Sequence, residues 1–176
     1  MNEFKMIKDI RDEVILRQSF TQLAEKTFGI NFEDWYQAGY WEDNYKTYSI
    51  VINSEVVANV SVTVSELIIG QKVYKTAQLG TVMTAEKFRG KGLSKKLIEY
   101  IIEEYQDEVD FIYLYANEQV LSFYPKFGFK RVDELCIEID INSVQLIENK
   151  MEKIDFAKHQ KKIEMLAKQR NIDHLT

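Results

Sequence analysis

Between a strand-like run at residues 78–84 and an amphipathic stretch opening at Leu93 lies the segment Phe88-Arg89-Gly90-Lys91-Gly92-Leu93-Ser94-Lys95-Lys96. A strand that feeds a helix through a glycine turn predicts an α/β unit, and it places that turn at the strand's carboxyl end. Gly90 and Gly92 can take backbone angles that turn successive N–H groups inward, and the helix adds its orphan amides and the positive end of its dipole. Such a loop suits phosphate, with Arg89, Lys91, Lys95 and Lys96 supplying positive charge around it. A plainer reading stays open on these residues alone: a turn before a helix, with solvated lysines on the exposed face. Neither the G-x-G-x-x-G dinucleotide fingerprint nor the G-x-x-x-x-G-K-[ST] phosphate loop is present.

A longer pattern surrounds the loop. Arg89-x-x-Gly92-x-Ser94 follows Leu79-Gly80-Thr81-Val82-Met83-Thr84, and Asn117 stands seven residues before Tyr124 in Phe123-Tyr124-Pro125-Lys126-Phe127-Gly128-Phe129. This resembles the GNAT superfamily of acetyl-CoA-dependent N-acetyltransferases, whose signature is [Q/R]-x-x-G-x-[G/A] with a downstream Asn and Tyr. Ser94 departs from the small residue of the pattern, yet it still lets a backbone approach pyrophosphate. The resemblance spans roughly residues 47–140.

It implies one mixed α/β domain whose sheet splays where the strand ending at Thr84 parts from the one ending at Ala116, with acetyl-CoA in the gap. Val82 and Thr84 would offer backbone groups to the pantetheine arm, and an N–H near Met83 would face the thioester oxygen. Arg89, Gly90, Lys91, Gly92, Leu93 and Ser94 would cradle the pyrophosphate. Asn117 would bond the pantetheine region, or serve as a turn residue capping the next helix. Tyr124 would donate to the departing sulfur, or pack as a core aromatic. A phenol near pKa 10 giving its proton to a thiolate near 8.5 is uphill by about 2 kcal/mol, so donation to developing charge suits Tyr124 better than full transfer.

The general base is the weak point of the resemblance. Some relatives carry Glu five residues before the Asn, where this chain has Ile112; Gln78 through a water, or Glu138, are the substitutes within reach of the pattern. A non-catalytic acyl-CoA-binding or partner-docking module on the same fold is therefore the rival reading. The implied reaction is direct attack by a primary amine of a small molecule or peptide on acetyl-CoA, without a metal.

The remaining chain adds constraints. With 176 residues, 45% apolar and 29% charged, it is long enough for one domain with a full core. No apolar run reaches the ~18 residues of a membrane span, and the N-terminus lacks the order of a signal peptide, so a cytoplasmic protein is expected. The lone Cys136 sits in an alternating strand-like run, and the two histidines, His159 and His174, argue against a histidine metal site. Residues 1–142 hold 16 basic against 23 acidic side chains, a balance that disfavours nucleic acid as a partner.

Helices are predicted over residues 12–28, stopped by Gly29, and over a short segment capped by Asn31. A hairpin turning at Asn53-Ser54, a strand over residues 72–84, a helix from Leu93 to Tyr105 and a buried strand over residues 110–116 follow. A short helix over residues 120–127 and strands near residues 129–132 and 135–141 close residues 1–142 as the acetyltransferase-like domain. Residues 143–176 read as a C-terminal helical tail, either a frayed helix or a homodimer contact. Residues 28–48 hold eight of the 22 aromatics together with Glu33, Asp34, Glu42 and Asp43, which suits either an ammonium acceptor or the packing of helix on sheet.

Overall fold

The computed structural model describes residues 4–69, 71–132, 155, 158–163 and 165–166. One compact unit comprises residues 1–67 and 73–129; the other takes residues 68–72 and 130–176. In the second, residues 158–163 are helical, and Asp155 accepts at its Oδ1 from the Lys158 amide at 3.2 Å and at its carbonyl from the His159 amide at 2.9 Å.

Among the described residues the elements run β1 (Lys5–Lys8), α1 (Val14–Phe28), α2 (Phe32–Gln37), β2 (Tyr45–Ile52), β3 (Glu55–Ile69), β4 (Lys72–Thr84), α3 (Leu93–Tyr105) and β5 (Phe111–Leu114). The strands form one mixed sheet in the order β1-β2-β3-β4-β5, antiparallel at β1–β2 and β2–β3 and parallel at β4–β5. Local chemistry explains the boundaries. Gly29 ends α1 in the left-handed region at φ 71°, its N–H on the Glu25 carbonyl. Asn31 caps α2 by accepting from the amides of Glu33 and Asp34. Asn53 and Ser54 both take positive φ, the twist that a two-residue hairpin needs, and Ile52 pairs with Glu55 across it.

Side chains alternate between two faces. On one, Leu93, Leu97, Ile98 and Ile101 of α3 pack on Tyr48, Ile50, Val60, Val62, Ala77 and Leu79. Cutting a fully buried side chain such as Leu97 back to Ala would cost about 2–5 kcal/mol. On the other, Phe20, Leu23 and Ala24 of α1 join Trp41, Tyr45, Val51, Val56 and Met83. Phe32 and Trp35 of α2 extend that face through edge-on rings, with centroids 5.0 Å apart for Phe20–Phe32 and 5.1 Å for Trp35–Tyr45.

Three expectations change. The last strand of the sheet is half-buried rather than buried and covers only Phe111–Leu114, because among the described residues it is paired on one side alone. The helix expected over residues 120–127 resolves into two 3-10 turns, Glu118–Val120 and Tyr124–Phe127. Pro125 lies in the first turn of the second, where its missing N–H costs nothing. Residues 129–132 form no strand, and Val132 is 85% exposed. The strand expected at residues 135–141, with Cys136 and Glu138, lies outside the described residues. Among the described residues no helix is long and apolar enough to cross a membrane, and no group of three His, Cys, Asp or Glu is placed to hold a metal.

Candidate active site

β4 and β5 run side by side only from Thr76 opposite Phe111 to Leu79 opposite Leu114. Beyond that point β4 continues to Thr84 while β5 ends, so one strand keeps its backbone groups without a β5 ladder. A cleft of about 710 Å³ opens there. β4 contributes Val82 and Thr84, the glycine loop contributes Arg89, Gly90 and Gly92, and the first turn of α3 contributes Leu93 and Ser94. Asn117 and Tyr124 close it from beyond β5. Chain segments far apart in sequence are thus brought to one place.

The glycine loop leaves the start of α3 open. Gly92 is the N-cap of α3 at φ 73°, no side chain caps that end, and no acidic residue occupies the first turn. The first intrahelical bond is the one from the Lys96 N–H to the Gly92 carbonyl at 3.0 Å, which leaves the amides before it for another acceptor. Gly90 is also left-handed, at φ 74°, and a Cβ at either glycine would meet nothing within 4 Å. Arg89 turns its Nε onto the Thr84 carbonyl at 3.2 Å, while the Thr84 and Ser94 hydroxyls share a bond of 2.7 Å. Lys91 folds back instead, its Nζ 4.8 Å from the centre of the Phe88 ring, and does not line the cleft.

Tyr124 is 8% exposed and packs edge-on against Phe123 and Phe129. Its hydroxyl has no hydrogen-bond partner among the described residues. Burial pushes its phenol above the ordinary value, so it stays a donor and becomes a still poorer source of a free proton. The Asn117 side chain makes no cap bond to the turn that follows, which leaves it to the cleft. Met83 does not join them by its side chain: it is 3% exposed and lies on the α1 face of the sheet. Among the described residues no carboxylate and no histidine lines the cleft, and the Gln78 carbonyl oxygen accepts from the Tyr113 hydroxyl at 3.2 Å.

Of the aromatic segment at residues 28–48, Phe28 alone among the described residues reaches the cleft. Trp35, Trp41 and Tyr45 pack against one another, Glu33 is paired with Arg17 at 3.0 Å, and Asp43 with Arg11 at 2.6 Å. Helix-on-sheet packing therefore accounts for most of this segment. The cleft also holds Thr81 and Tyr115, which the sequence did not single out. Thr81 has φ 48°, and nothing in an ordinary strand-like run announces a left-handed threonine. The polar network behind it does leave a trace, as Ser49, Asn59 and Ser61 stand among the apolar residues of β2 and β3.

Solved structures share this architecture. A transcriptional regulator from Bacillus halodurans is 21% identical, with 78% of this chain and 100% of that one covered and a TM-score of 0.60. A glucosamine-6-phosphate N-acetyltransferase from Arabidopsis thaliana is 19% identical, over 78% of this chain and 98% of that one, at 0.60. A predicted acetyltransferase from Clostridium acetobutylicum, solved with acetyl-CoA, is 16% identical over 81% and 99%, at 0.61. At these identities the likeness is one of fold. A search of curated proteins gives no match. The model of the acetyltransferase (GNAT) domain matches residues 11–132, the stretch that carries the split strands, the uncapped helix and Tyr124, and the chain belongs to that family.

Proposed function

We propose that this protein transfers the acetyl group of acetyl-CoA to a primary amine of a small molecule or peptide by direct attack within the cleft. The observation that carries this reading is the meeting of three features in one cleft: the β4 segment past Leu79, which has no β5 ladder, the uncapped start of α3, and the Tyr124 hydroxyl, unpartnered among the described residues. Each matches a part of the donor. The α3 amides with Arg89 suit pyrophosphate, the β4 edge suits the amide-bearing pantetheine arm, and Tyr124 suits the sulfur. The Clostridium neighbour solved with acetyl-CoA supports the same donor.

In the reaction the amine nitrogen bonds to the acetyl carbon, the carbon–sulfur bond breaks with its electron pair going to sulfur, and the amine's proton passes to water or to the leaving thiolate. An N–H of β4 opposes the charge that builds on the thioester oxygen, and the Tyr124 hydroxyl donates toward the sulfur. With no carboxylate or histidine in the described lining, the amine attacks as the free base. Turnover should then rise with pH up to the amine's own pKa.

A second reading has the same absence in its favour: a module that binds acetyl-CoA without turning it over. Thiol release measured across a panel of amines, beside thermal stabilisation by acetyl-CoA, separates the two. Stabilisation with amine-dependent thiol release supports transfer; stabilisation without release supports the binding module, and neither effect removes both.

A further inference from the structure

Thr81 holds a left-handed conformation in the middle of β4, a region that β-branched residues avoid. Strain of this kind persists where the surroundings over-determine it. Two side chains, one from β3 and one from β2, do so. Asn59 of β3 donates from Nδ2 to the Thr81 carbonyl at 3.1 Å, and the Tyr45 hydroxyl of β2 lies 2.9 Å from Thr81 Oγ1.

Both holders are themselves held. Asn59 is 0% exposed, accepts from the Ser49 hydroxyl at 2.9 Å and donates to Ser61 Oγ at 2.9 Å. Tyr45 donates to the same Ser61 oxygen at 2.9 Å. Register places Ser49 opposite Asn59 and Thr47 opposite Ser61, so the network is a polar stripe on the sheet face that α1 covers. A satisfied buried network specifies one arrangement more than it adds adhesion.

The arrangement specified has a direction. The Thr81–Val82 peptide is trans, and in a trans peptide the carbonyl and the N–H point opposite ways. With the carbonyl turned onto Asn59, the Val82 N–H is turned away from the network, and Val82 lines the cleft past the point where β5 leaves β4. We propose that Asn59, assisted by Tyr45, is a positioning residue for acyl transfer: it locks the Thr81 kink and so aims the Val82 N–H at the thioester oxygen. This rests on the acetyl-transfer reading above. Neither side chain touches the donor; both act through the backbone of β4.

The test combines a spectroscopic and a kinetic readout on the full chain. The Val82 amide resonance is followed during titration with acetyl-CoA and with CoA, and kcat and the acetyl-CoA Kd are measured for Asn59→Ala and Tyr45→Phe. In the wild type the Val82 proton should move downfield with acetyl-CoA and not with CoA. In Asn59→Ala that acyl-specific shift should vanish and kcat should fall by about 10- to 100-fold, with Kd changed by less than about threefold. Tyr45→Phe keeps the ring against Trp35 and Trp41 and removes one hydroxyl, so it tests the network even where Asn59→Ala does not fold; its kcat should fall by about threefold or more.

An unchanged kcat in either folded variant overturns the proposal, as does a Kd that is lost in step with kcat. A Val82 proton that responds alike to CoA and acetyl-CoA overturns it too. A wild type that binds acetyl-CoA and releases no thiol with any amine removes the acetyl-transfer reading alone. The acyl-specific Val82 shift, and its loss in the two variants, then still decides whether Asn59 positions that amide.

Discussion

Thr84 Oγ1 lies 2.7 Å from Ser94 Oγ, which ties the end of β4 to the first turn of α3 at the mouth of the cleft. Arg89 grips the same residue by its carbonyl. Ser94→Ala should therefore lower stability by about 1 kcal/mol, the net worth of one hydrogen bond. It should leave acetyl-CoA affinity within about threefold, because the amide that faces the cradle is kept. Urea unfolding and calorimetry read the two effects. An affinity loss beyond about tenfold would show instead that the hydroxyl itself holds the donor.

Gly92 gives a sharper case, since a Cβ there meets nothing within 4 Å and the left-handed φ of 73° sets the main conformational cost. Gly92→Val should cost roughly 1–2 kcal/mol of stability, from placing a side chain at a left-handed position. Acetyl-CoA affinity should fall by about 100-fold, because the side chain fills the cradle. A folded Gly92→Val protein with wild-type affinity would falsify the cradle.

For Tyr124 the sign of the pKa shift sets the pH dependence. Burial raises its phenol above the ordinary value near 10, so the donor form is complete at lower pH and is lost as pH rises through the raised value. The wild-type kcat profile should thus bend downward only above about pH 10, and Tyr124→Phe should lack that bend. At neutral pH the variant should show kcat lowered by about 10²-fold with acetyl-CoA affinity nearly kept. Parallel loss of binding and turnover would make Tyr124 a packing residue.

The Arg17–Glu33 pair predicts an effect on stability and none on the acceptor. Arg17 is 5% exposed, stacks 3.7 Å over the Tyr36 ring and donates to Glu33 from Nε. That bond, with a second from Gln37, holds the Glu33 carboxyl below its usual range. A depressed pKa stabilises the fold above the unfolded value near 4.3, and the contribution is lost as pH falls through the lower folded value. Glu33→Gln should destabilise by about 1–2 kcal/mol at pH 7, with the gap to wild type closing below about pH 4. Amine KM should stay unchanged, and a rise in it would return α2 to acceptor binding.

Elements governed by near neighbours were legible in the chain itself. Gly29 stops α1, Asn31 caps α2, Asn53-Ser54 turns the hairpin, and the Gly90–Gly92 loop opens α3, each through contacts within a few residues. The Arg89-x-x-Gly92-x-Ser94 pattern with Asn117 and Tyr124 pointed to the cleft that the fold assembles. Other features depend on partners the linear pattern does not name. Thr81 is bent by Tyr45, 36 residues away, and Met83 is drawn to the α1 face although it lies in the same strand as Val82. Glu33, which reads as a free carboxylate beside aromatic rings, is claimed by an arginine 16 residues earlier. A cap or a turn is decided by the φ and ψ angles of its own residues, whereas a strained strand position or a neutralised carboxylate is decided by which side chains the packed sheet and helices bring against it.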